Sequence, residues 1–63
     1  MDLEFRFNLG LYQVHGNGGH WALRRDGKLV EDGAIRVSGP DLTFEDLLRV
    51  EAELAIERHE NRS

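Results

Sequence analysis

The stretch that decides the fold is residues 42–60, LTFEDLLRVEAELAIERHE, in which apolar side chains recur at the spacing of an α-helix. Thr43 followed by Asp46 has the form of a capping box, so we predict a helix over about residues 43–60. Its apolar sector spans roughly two thirds of the circumference, which is more than one sheet face covers. Val50 and Leu54 lie at one margin of that sector, and we predict that they take part in self-association.

Glu51 falls near the middle of the same apolar sector. A carboxylate in that position must reach solvent, pair with a basic group or lie at an interface. We expect it at the margin of a sheet, paired with an arginine.

The residues before the helix have the pattern of strands. Apolar and polar residues alternate from Leu3 to Leu9, and the alternation changes phase at Gly10. A bulge or sharp bend at this glycine would return both halves to one face. The pattern therefore predicts one long strand over residues 3–15.

Turn-forming residues divide the next segment. Gly16–Gly19 has the composition of a four-residue loop, and Asp26-Gly27 and Asp32-Gly33 favour two-residue type I′ turns. A type I′ turn at Asp26-Gly27 places Arg25 opposite Lys28, so a type I turn with a bulge at Gly27 stays open as the alternative. The strands that remain are residues 20–25, 28–31 and 34–38. With these turns, one set of apolar residues falls on a single face. The set is Tyr12, Val14, Trp21, Leu23, Val30, Ile35 and Val37.

These elements predict one small α+β domain over residues 1–63. Its sheet is a four-stranded antiparallel meander, and a single C-terminal helix covers one face. In this register residues 3–9 extend beyond their hairpin partner. They either curl to close a small barrel or pair with another chain, where Phe5 and Phe7 would mediate self-association.

Composition limits the classes of function. The chain has 63 residues, no cysteine and a net charge of −4, so no disulfide supports its small core and broad attraction to nucleic acid or anionic membranes is disfavoured. Oligomerisation is the remaining common support, and we predict a homodimer. No apolar run approaches the length of a membrane span, and the residues after Met1 lack the basic region of a secretory signal. We therefore expect a cytoplasmic protein.

Candidate catalytic and metal-binding groups are few. His15 and His20 are predicted to face each other across the first hairpin, but no third or fourth metal ligand is spaced nearby. Gly16–Gly19 is not followed by a helix, as a phosphate-binding loop would be. Ser38 has no histidine or acid at a suitable spacing. We predict no enzyme activity, no metal and no cofactor.

The outer sheet face collects the basic residues and is the predicted partner-binding surface. Its candidate residues are Arg6, Gln13, His15, Asn17, His20, Arg24 and Arg36, with Glu4 and Glu31 interspersed. The favoured hypothesis is a non-catalytic protein-binding module, a small regulator or inhibitor of phage or bacterial type that occupies the surface of a larger protein. The alternative is a domain that binds single-stranded nucleic acid through the arginines of this face. The predicted register turns Tyr12 and Trp21 inward, so the face lacks the aromatic residues on which bases usually stack.

Overall fold

The computed structural model describes residues 1–62 and has an α+β fold of four strands followed by one helix. The strands are β1 (Asp2–Phe7), β2 (Gly10–Asn17), β3 (His20–Arg25) and β4 (Lys28–Ala34), and the helix is α1 (Phe44–Asn61). The strands form one antiparallel sheet in chain order, and α1 packs on one face. The predicted fold class is confirmed. The sheet is open, with β1 and β4 at its edges, so the barrel considered above does not form.

Two-residue turns join all three pairs of neighbouring strands. The turns are Asn8–Leu9 (φ 50° and 63°), Gly18–Gly19 (59° and 87°) and Asp26–Gly27 (50° and 87°). Positive φ at both positions identifies type I′ turns, whose twist matches that of the flanking strands. The Asp26–Gly27 turn is the predicted type I′ turn. The Gly18–Gly19 turn replaces a predicted four-residue loop, and the Asn8–Leu9 turn replaces a predicted bulge or bend at Gly10.

The predicted long strand over residues 3–15 is wrong, because the chain reverses at Asn8–Leu9 and forms β1 and β2. Phe7 pairs with Gly10, so an odd-numbered and an even-numbered residue lie on the same face. The change of phase at Gly10 is therefore produced by a tight turn and not by a bulge. The turn was not predicted because its second position, which usually holds glycine in a type I′ turn, is Leu9.

The predicted four-residue loop Gly16–Gly19 is also shorter than expected, since Gly16 and Asn17 belong to β2. Val14 consequently pairs with Leu23, whereas a four-residue loop would pair it with Trp21. The shift is two residues, so the side chains of β2 and β3 keep their predicted faces. A Cβ atom on Gly16 would lie 2.7 Å from Leu48 Cδ1, which explains glycine at this point of helix contact.

The predicted turn at Asp32–Gly33 does not form, and residues 28–31 and 34–38 are not two strands. Gly33 lies inside β4 against the Trp21 ring, whose Nε1 donates a hydrogen bond to the Ala34 carbonyl at 3.0 Å. A bulge at Val30 turns Glu31 to the helix side of the sheet, away from its predicted outer face. Ile35 and Val37 lie in the segment that leads to α1.

The core lies between the sheet and α1. Its buried apolar residues are Tyr12, Val14, Trp21 and Leu23 from the sheet and Leu48, Ala52, Ala55 and Ile56 from the helix. Val30 and Ile35 pack against this core at its margin. Four of the seven residues predicted to share a buried face therefore form the sheet side of the core.

The predicted capping box at the start of α1 is confirmed. Thr43 Oγ1 accepts a hydrogen bond from the Asp46 backbone N–H at 3.2 Å, and Asp46 Oδ2 accepts one from the Thr43 N–H at 3.1 Å. These bonds lower the pKa of the Asp46 carboxyl. The helix therefore begins where the sequence places it.

Glu51 is buried, with 5 % of its reference accessible area exposed. The prediction that it pairs with an arginine side chain is wrong. Its Oε2 accepts hydrogen bonds from the backbone N–H groups of Arg36 and Val37, the latter at 3.0 Å. The segment between β4 and α1 has no strand partner at this point, and the carboxylate satisfies its peptide donors. Glu51 thus fixes the connection between sheet and helix.

Within residues 1–62, the structure contains no helix that is both long enough and apolar enough to cross a membrane.

Candidate protein-binding surface

The Asn8–Leu9 turn carries the most exposed apolar side chain of the described residues. Leu9 has 110 % of its reference accessible area, and Phe7 beside it is 48 % exposed. Leu9 also has a φ of 63°, a left-handed conformation that costs a residue with a Cβ atom roughly 1–2 kcal/mol. Both its conformation and its exposure are unfavourable in the chain by itself, and such strain is often found at functional sites.

A groove lies next to this turn, between β1 and the C-terminal half of α1. Its volume is about 380 Å³. The lining residues are Phe5, Arg6, Phe7, Glu53, Ile56, Glu57, Glu60 and Asn61. We call this depression the β1–α1 groove. Its lining combines apolar residues of both elements with three carboxylates of one helix.

Glu60 fixes the helix end of the groove to the Asn8–Leu9 turn. Its Oε1 accepts a hydrogen bond from Asn8 Nδ2 at 2.8 Å, and its Oε2 accepts one from the Tyr12 hydroxyl. The Arg25 guanidinium lies 3.7 Å from Oε2 and 5.4 Å from the centre of the Tyr12 ring. The turn is therefore held in place by the end of α1.

This network shifts two pKa values in opposite directions. The hydrogen bonds from Tyr12 and then Asn8 lower the pKa of the Glu60 carboxyl. Burial, followed by the hydrogen bond to Glu60, raises the pKa of Tyr12 to about 12. The stable pair at neutral pH is a carboxylate and a neutral phenol, which is the arrangement that the hydrogen bond requires.

Arg49 of α1 lies beside Phe5, one of the residues that line the groove. Its guanidinium carbon lies 5.8 Å from the centre of the Phe5 ring, and its Nη2 lies 3.2 Å from Glu45 Oε2. Phe5 thus lines the groove, and the Arg49 guanidinium lies over its ring in a cation–π contact.

Six of the seven residues predicted to bind a partner lie exposed on the outer sheet face. They are Arg6, Gln13, His15, Asn17, His20 and Arg24. Arg36 lies instead in the segment after β4. The register brings Asp2, Glu4 and Asp32 to the same face, so its positive and negative groups are interspersed.

The predicted pairing of His15 with His20 is wrong, because the shorter turn moves the register by two residues. His15 pairs with Ala22 on one side and with Asp2 on the other, and its Nδ1 lies 2.6 Å from Asp2 Oδ1. The hydrogen bond with His15 lowers the pKa of Asp2. In the part of the chain that the structure describes, no group of three or more His, Cys, Asp or Glu side chains is placed to hold a metal ion.

The four residues predicted to mediate self-association lie in two places. Phe5 and Phe7 line the β1–α1 groove, where Phe5 is half-buried. Leu54, 43 % exposed, and the half-buried Val50 lie on α1 and are not among the residues that line this groove.

Sequence reasoning did not identify Leu9 or the β1–α1 groove. The alternating pattern of residues 3–9 predicts that Leu9 is one more half-buried strand residue. The change of phase at Gly10 was the signal that could have revealed a turn and an exposed leucine within it.

Comparisons of the chain with protein-family models, curated proteins and solved structures find no match.

Proposed function

We propose that the protein is a non-catalytic protein-binding module, and that it binds its partner with Phe7, Leu9 and the β1–α1 groove. The observation that carries the proposal is Leu9. It is fully exposed in a left-handed conformation, although glycine or asparagine is preferred at this position. An interface that buries the leucine would offset both costs, because a buried leucine side chain contributes roughly 1.5–3 kcal/mol.

The shape of the region supports this role. A protruding apolar side chain beside an apolar depression offers a partner both a knob and a hole, and well-packed, desolvated pockets are where binding energy concentrates. Asn8, Tyr12 and Glu60 hold the turn against α1, so its position is fixed before binding. A fixed surface loses less conformational entropy when a partner docks.

The charges around the groove indicate the partner's chemistry. Glu53 and Glu57 are exposed along one side of it, and the chain has a net charge of −4. A partner surface with an apolar centre and lysine or arginine at its rim is complementary to this arrangement. The outer sheet face, with acids among its basic residues, offers no comparable preference for an anion, so we do not propose nucleic acid as the partner.

Photo-cross-linking tests the proposal. A benzophenone amino acid replaces Phe7 in one variant and Leu29 in a matched control, because Leu29 is 54 % exposed on β4, away from the groove. In cells of the native host, the probe at position 7 should give a discrete adduct with another protein. Adding Leu9→Gly to this variant should remove the adduct.

The control decides the interpretation. The same adducts from positions 7 and 29 would indicate non-specific contact and contradict the proposal. Adducts that contain only copies of this chain would also contradict it, since they would assign the surface to self-association. The Leu9→Gly variant keeps the turn type, so loss of its adduct reports on the leucine side chain and not on unfolding.

A further inference from the structure

The β1 edge of the sheet presents backbone groups to the outside. Met1 and Gly16 exchange two backbone hydrogen bonds, of 2.9 and 3.1 Å. Such pairs alternate along antiparallel strands with pairs whose peptide groups face outward. The residues whose peptide groups face β2 are therefore Leu3, Phe5 and Phe7. The N–H and C=O groups of Glu4 and Arg6 face away from the sheet.

We propose that β1 pairs with β1 of a second copy in an antiparallel register centred on Phe5. This inference rests on the backbone of β1 and not on Leu9, although both proposed contacts include Phe7. In this register the outward-facing peptide groups of Glu4 bond to those of Arg6 in the second copy, and the two-fold axis repeats the pair. The result is a continuous eight-stranded sheet with both helices on one face.

The side chains of β1 are complementary to themselves in this register. On the outer face, Glu4 of each copy lies opposite Arg6 of the other, which gives two pairs of opposite charge. On the helix face, Phe5 lies opposite Phe5 and Leu3 opposite Phe7. Aromatic and opposite-charge pairs are those that stabilise antiparallel strands across a ladder. Registers centred on Glu4 or Arg6 would place like charges opposite each other.

The other edge of the sheet is less suited to pairing. β4 contains a bulge at Val30, and its neighbour Glu31 is bound to Arg58 at 2.5 Å and Arg62 at 3.5 Å. A bulge twists an edge and disrupts its ladder, which is one of the ways proteins protect edge strands. β1 is a regular six-residue strand without proline. Its exposed apolar edge residue, Phe7, gains a neighbour in the dimer.

Sedimentation equilibrium with charge-exchange variants tests the register. The wild-type chain should approach 14.4 kDa, twice its 7.2 kDa, as its concentration rises through the micromolar range. Arg6→Glu places a glutamate opposite Glu4 of the other copy at both pairs that the two-fold axis relates. It should weaken dimerisation about tenfold or more. The double variant Glu4→Arg/Arg6→Glu restores both opposite-charge pairs and should recover most of the wild-type affinity.

Both side chains are exposed, so each variant should fold, and circular dichroism checks that it does. A mass of 7.2 kDa at every concentration would overturn the proposal. A dimer that is insensitive to Arg6→Glu, or one that the double exchange fails to rescue, would overturn it too. A dimer of either kind would be formed by a different contact, for example through the face of α1 that carries Val50 and Leu54.

Discussion

Leu9→Gly should make the protein more stable, although it removes a large apolar side chain. The leucine is fully exposed, so its removal gives up no burial within the chain. Its φ of 63° costs a non-glycine residue roughly 1–2 kcal/mol, and glycine in its place loses roughly 0.5–1 kcal/mol more backbone entropy on folding. The midpoints of these two ranges leave a net gain of about 0.75 kcal/mol, which corresponds to a rise in Tm of roughly 3–6 °C for a domain of this size.

The assay is thermal and urea unfolding of the wild type and the variant, at one protein concentration, followed by circular dichroism. Leu29→Gly is the matched control, because Leu29 is an exposed leucine within β4, outside the residues with positive φ. Glycine within a strand should lower stability by roughly 0.5–1 kcal/mol. Equal destabilisation by the two substitutions would refute the reasoning, since Leu9 would then pack on the chain or lie outside a type I′ turn.

The remaining predictions concern the buried Glu51 and the hydrogen-bonded pair of Tyr12 and Glu60. Glu51→Ala should destabilise the protein by about 3 kcal/mol, because two backbone donors lose a charged acceptor, and Glu51→Gln should cost about half as much in the same urea titration. The lowered pKa of Glu60 stabilises the fold above its ordinary pKa of 4.5, and that stability is lost as pH falls through the folded value. The raised pKa of Tyr12 stabilises the fold below pH 10, and that stability is lost as pH rises towards 12. In unfolding midpoints measured from pH 2 to 12, Tyr12→Phe should therefore remove the alkaline decline and reduce the acidic one, and a profile parallel to the wild type would contradict the coupling.

The helix could be predicted from the sequence because its signals are local. Thr43 and Asp46 are three residues apart and satisfy each other, so nothing distant decides where α1 begins. The inward positions of Tyr12, Val14, Trp21 and Leu23 were also predictable. Strand periodicity fixes which face a side chain takes, and an error of two residues in the register preserves that face.

The turns could not be predicted with the same success, because tertiary packing overrides the local preference of their residues. Asp32-Gly33 favours a hairpin turn, but pairing with Ala22 and Trp21 of β3 keeps both residues within β4. Leu9 is the opposite case. Leucine is unfavourable in a type I′ turn, but the surrounding strands impose that turn on it. The partners of Glu51 depend on the path of the segment between β4 and α1. No local sequence pattern predicts that path.

The candidate site was missed for the same reason. The outer-face residues were chosen by charge, and Glu4 was expected among them, but Asp2 and Asp32 join this face only when the strands are aligned. The β1–α1 groove is formed by residues about 50 positions apart, such as Phe7 and Ile56. A linear pattern does not contain that proximity.

The measurement that tests the central claim most directly is the affinity of the cross-linked partner for three forms of the protein: wild type, Leu9→Gly and Leu29→Gly. Isothermal titration calorimetry with the purified partner gives each Kd. We expect Leu9→Gly to bind at least about tenfold more weakly, because it loses the buried leucine contact while keeping a stable turn. Leu29→Gly should bind like the wild type despite its lower stability. Equal affinities for the wild type and Leu9→Gly, or a loss confined to Leu29→Gly, would contradict the account.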